Sequence, residues 1–184
     1  MIFCYDEYEF EIMKEDVQMY RELGADGIVT GILLPDGRLD SVRMGELIRE
    51  AGNADVALHR AFDVCSDPYE TLEGAIDLGI RTILTSGQKN SAWEGRELLR
   101  ELVRRSDGRI EILVGAGVSP ETIEKLVPFT GAQAYHMSGK VTLESRMQFR
   151  RDGVSMGVPG FSEYEIWQTD ADNIRRAVDV LEQF

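Results

Sequence analysis

The sequence predicts an α/β protein built on a parallel sheet, and three features carry that expectation. Short β-rich apolar runs alternate with longer amphipathic segments along the whole chain. Glycine, proline and capping residues fall at the switches between the two patterns. No break in composition divides residues 1–184, so one domain is expected.

Each element follows from its own pattern. Over 7–23, Phe10, Met13, Val17, Tyr20 and Leu23 share one helical face, and Gly24 stops the helix. Residues 26–33 read as a strand and Pro35-Asp36-Gly37 as a turn. A helix over 40–51 turns Val42, Met44, Leu47 and Ile48 inward. Residues 55–62 form the next strand, and Asp67-Pro68 opens a helix ending at Leu78, with Asp67 as N-cap. The unit then repeats. A strand over 81–85 precedes a helix over 92–105, and a strand over 110–114 precedes a helix over 119–127 that Ser119 caps. Residues 133–137 give a fifth strand, residues 139–169 read as irregular, and Asp170 caps a last helix over 170–181. Alternation of this kind implies right-handed βαβ units. A doubly wound sheet or a (β/α) barrel satisfies it. The glycine fingerprint of the former is missing, and five strands after an opening helix are too few for the latter.

Composition narrows the classes of function. Twenty basic against 33 acidic residues give a net charge of −13, which sets nonspecific nucleic-acid and anionic-membrane binding aside. The acidic surplus reads as a solvated surface. The longest apolar runs, 80–84 and 110–114, fall far short of the ~20 residues of a membrane helix. Nothing reads as a signal peptide, so a cytoplasmic location is expected. The two cysteines, Cys4 and Cys65, have no zinc-ligand spacing. Met13, Met19 and Met44 read as core, and Trp93 and Trp167 as packing or interface residues.

The strand ends carry a resemblance. His59-Arg60-Ala61-Phe62-Asp63, then Asp67-Pro68, then Leu84-Thr85-Ser86-Gly87-Gln88 closely resemble the copper homeostasis protein CutC family. The match extends over Gly24-Ala25-Asp26-Gly27, Gly115-Ala116-Gly117-Val118, His136, Met147-x-Phe149-Arg150 and Ser155-Met156-Gly157. Phe3 and Tyr5 fit the end of a loop that precedes the fourth family strand. The resemblance implies a TIM-like (β/α) barrel truncated at the N-terminus, with about five of eight strands present. It also implies a role in copper homeostasis through copper binding or trafficking. The unpaired edges that five strands would leave predict a homo-oligomer.

Ligands of parallel α/β folds bind at the carboxyl ends of the strands, and the candidate residues gather there. His59 and Asp63 could perform general acid–base chemistry while Arg60 pins an anion. In the structural alternative, Arg60 and Asp63 pair to knit their loop and His59 hydrogen-bonds inside the barrel. Thr85, Ser86, Gly87 and Gln88, with Gly115, Gly117, His136 and Ser138, supply hydroxyls and open backbone N–H groups for a small anion, such as a phosphorylated metabolite. An enzyme of that kind is the alternative to copper binding. Copper itself would take soft donors. Cys4 and Cys65 are the candidate metal ligands, with His59, His136 and Met137 near strand ends.

Overall fold

The computed structural model describes residues 3–151, 153–154, 157 and 162–184. Residues 155 and 156 of the family string lie outside them, as do residues 1 and 2.

The chain opens with α1 (Glu7–Glu22), started by a capping box in which Asp6 and Glu9 each accept the other's backbone N–H, at 2.8 and 2.9 Å. Five strands follow: β1 (Gly27–Thr30), β2 (Asp55–Leu58), β3 (Thr82–Thr85), β4 (Glu111–Val114) and β5 (Ala134–Tyr135). Between them lie α2 (Ser41–Ala51), α3 (Pro68–Asp77), α4 (Arg96–Ser106) and α5 (Pro120–Thr130). All four pairings are parallel and the strand order is sequential, β1 to β5. A doubly wound sheet reverses its order at a switch point. A sequential order is that of a barrel wall, and among the described residues this wall is open, because β1 and β5 each have one strand neighbour. Beyond β5 come β6 (Lys140–Glu144), β7 (Glu165–Thr169) and α6 (Ala171–Leu181).

The expected caps all form. Asp67 accepts the N–H groups of Tyr69 and Glu70, Ser119 that of Thr122, and Asp170 that of Asp172. The starts of α3, α5 and α6 are thereby fixed.

Several expectations need correction. The strand expected over 26–33 stops at Thr30. Gly31 passes so close to the His59 ring that a β-carbon there would lie 2.7 Å from it, and beyond it Leu33 bridges Leu39. The strand over 55–62 ends at Leu58, because His59 caps a short 3-10 helix, Arg60–Val64. Helix α4 begins at Arg96; residues 91–95 form turns that seat Ala92 in the core under Ala116. The stretch read as irregular contains the antiparallel pair β6–β7. Its side chains face mostly solvent and its arms lie twenty residues apart in sequence, so neither burial periodicity nor a short turn signals it. Finally, Tyr20, Leu23 and Val42 are exposed, and so is Met19, while Phe10, Val17, Met44 and Leu47 are buried as expected.

Candidate functional site

At the carboxyl end of β2 the backbone leaves the sheet and coils, which swings Asp63 across to the end of β3. Its carboxylate is only 6% exposed and meets a full set of donors. It accepts the Thr85 hydroxyl at 2.6 Å and the Ser86 N–H at 3.0 and 3.1 Å, and the Ser86 hydroxyl, which lies 2.6 Å from the Lys89 carbonyl, is 3.0 Å away. The Gln88 N–H at 3.2 Å and the Arg60 Nε at 2.6 Å complete it. Buried charge is tolerated when paired and saturated in this way. A carboxylate so occupied is not presented to a substrate. Asp63 holds Arg60 and ties the end of β2 to the end of β3.

His59 is also engaged. Its Nδ1 accepts the Ala61 N–H at 3.1 Å, and the Phe3 ring lies against it at 4.6 Å. Burial pushes its pKa below the ordinary value. The neutral ring with its proton on Nε2 is the form this geometry holds. Here the structural alternative for the 59–63 string is the one observed.

The backbone N–H groups of Ser86, Gly87 and Gly115, expected to face an anion, have partners inside the fold. The Ser86 N–H serves Asp63, the Gly87 N–H donates to Thr85 Oγ1 at 2.9 Å, and the Gly115 N–H to the Thr85 carbonyl at 2.9 Å. Gly87 has φ +71°, and a β-carbon there would sit 2.3 Å from the Gly95 carbonyl oxygen. That glycine serves a backbone crossing. Gln88 turns inward, its amide reaching the carbonyls of Phe62 and Cys65 at 3.4 and 3.1 Å. Thr85, Ser86 and Gln88 thus knit the loops.

What lies open is further along the sheet. A cavity of about 810 Å³ spans the carboxyl ends of β3 to β5 and the starts of α5 and α6. Four of the expected residues line it: Arg60, Gly117, His136 and Ser138. Sequence reasoning missed Glu121, Lys140, Asn173 and Arg176, which also line it. Lys140 falls in the stretch read as irregular, and Arg176 is one of many charged residues on a helix, so no local signal marks either. Arg176 pairs with Glu121 across the rim, and Lys140 rests on the Trp167 ring at 3.3 Å. Arg60 links the two regions: its Nε holds Asp63, its NH2 reaches the Ser86 hydroxyl at 3.0 Å, and it faces the cavity.

The thiols do not join the other soft donors, His136 and Met137, at the cavity. Cys65 is buried, its sulfur contacts the Gln88 amide at 3.4 Å, and burial pushes its thiol pKa up, away from the thiolate a metal needs. Cys4 packs at the margin of the core. Among the described residues no group of three or more His, Cys, Asp and Glu side chains is placed to hold a metal ion. The residues present do not fit a resident copper cage.

Fold and site together define an α/β protein of the (β/α)-barrel type with a polar, cation-rich cavity at its carboxyl face. The comparisons make this specific. The CutC family model matches residues 2–141. A CutC family protein of Histophilus somni is 40% identical over 172 residues, 94% of this chain and 70% of that protein. One from Bacteroides fragilis is 41% identical over 181 residues, 98% of this chain and 71% of that protein. The solved structure of CutC from Streptococcus agalactiae aligns with a TM-score of 0.70 at 31% identity, over 74% of this chain and 67% of that one. The chain belongs to the CutC family.

Proposed function

We propose that this protein serves copper homeostasis through its carboxyl-face cavity, which binds a small anionic molecule in the cytoplasm. Family membership supports the first part, since the S. agalactiae relative is named for copper homeostasis. One observation carries the second. The cavity collects the cations Arg60, Lys140 and Arg176 beside His136, whereas the two thiols lie outside its lining. Cationic side chains repel a copper ion and attract an anion. His136 and Met137 in the lining, and Cys4 and Cys65 outside it, are the soft donors that a passing Cu(I) ion would meet, and copper is cargo or signal in this reading. Self-association belongs to the same proposal, because β1 and β5 both offer unpaired strand edges.

Competition for Cu(I) against a chromophoric chelator tests it. Wild type and the Cys4→Ser/Cys65→Ser variant should compete equally weakly. A tight site in wild type that the double substitution abolishes would overturn the anion-site reading.

A further inference from the structure

Given that the cavity is the working site, the geometry points to a phosphate monoester as its ligand, with the phosphate on the 116–118 turn between Lys140 and Arg176. The turn is the first ground. Ala116 and Gly117 both have left-handed backbones, at φ +74° and +68°. For alanine that conformation is costly and is kept only where the surroundings impose it. Here the Ala92 N–H pins the Ala116 carbonyl at 2.9 Å. Unlike the spent N–H of Gly115, those of Ala116, Gly117 and Val118 donate to no partner among the described residues, and all three residues line the cavity.

The cations are the second ground, and they arrive from separate elements, Lys140 from β6 and Arg176 from α6. An ammonium offers three N–H donors and a guanidinium five, to which the turn adds its own. A carboxylate has two oxygens to receive them. A phosphate monoester has three, with a charge of about −1.5 to −2 near neutral pH, and matches the supply better.

Size and lining decide against free phosphate. A cavity of about 810 Å³ falls in the ~300–1,000 Å³ range of small-molecule sites. Leu84, Val118, Pro120 and Met137 give it an apolar wall for an organic group.

One carboxylate stands against the ligand. Glu121 lines the cavity, accepts the Ser119 hydroxyl at 2.8 Å and pairs with Arg176. Glu121 thus occupies the guanidinium that the phosphate needs, and an incoming dianion must displace it.

Titration calorimetry on the full chain with glycerol phosphate, inorganic phosphate, glycerate and glycerol tests the assignment. Glycerol phosphate should bind about tenfold more tightly than inorganic phosphate or glycerate, and glycerol not at all. Lys140→Ala and Arg176→Ala should each weaken it about tenfold or more, the scale of a lost charge-assisted hydrogen bond. Glu121→Gln should tighten it several-fold. Circular dichroism melts that match wild type show that the variants fold. Glycerate binding as well as glycerol phosphate overturns the phosphate assignment. So does weak binding indifferent to both alanine variants, which is an adventitious ion only. Either failure leaves the Cu(I) competition result untouched, so the two proposals fall separately.

Discussion

The Asp63 carboxylate takes the backbone N–H of Ser86, at 3.0 and 3.1 Å, with the Ser86 hydroxyl 3.0 Å away. Two neighbouring strand ends are locked by that one contact. It explains why the site lies toward β4 and β5: the donors at the end of β3 are consumed inside the fold.

Replacing Asp63 by Asn would place an NH2 group against donors and remove the charge that holds Arg60. Leaving the donors around a buried carboxylate without their charged acceptor costs about 2 kcal/mol or more. Urea denaturation of Asp63→Asn should show a loss of that size with an unchanged slope. A loss below about 1 kcal/mol would mean that the network is incidental.

His59 gives the fold a pH dependence. Its folded pKa is lowered by burial from an ordinary value of 6.5, so the unfolded chain binds the proton more readily. The contribution is therefore complete above 6.5 and declines as the pH falls through the lowered folded value. The thermal midpoint should drop as the pH falls below about 6.5, and the drop should be smaller in His59→Gln. Parallel profiles for the two proteins would remove His59 as the source.

Val29 lies on β1, which has one strand neighbour among the described residues, and is 66% exposed. Sedimentation velocity should show concentration-dependent self-association of wild type, reduced in Val29→Lys, since lysine on an edge discourages strand pairing. A wild-type monomer at every concentration would contradict this.

Much of the fold was legible locally. The caps Asp67, Ser119 and Asp170 and the apolar strand runs are short-range signals, and the elements they delimit form. The site was legible in part. Arg60, Gly117, His136 and Ser138 follow from strand-end position, and they do line the cavity. Whether a backbone N–H is free depends on distant partners: Ser86 and Gln88 lose theirs to a carboxylate 23 and 25 residues earlier. Lys140 reaches the cavity through the β6–β7 pair, which leaves no burial periodicity, and Arg176 through the packing of α6 on α5, a long-range contact that the helical pattern alone does not give.

Copper tolerance tests most directly whether the cavity, and not the cysteines, carries the function. A copper-sensitive host lacking its own family member should regain growth on copper with wild type and with the Cys4→Ser/Cys65→Ser variant. It should not regain it with a Lys140→Ala/Arg176→Ala variant that accumulates to the same level. Rescue by the cavity variant and failure of the cysteine variant would contradict the account.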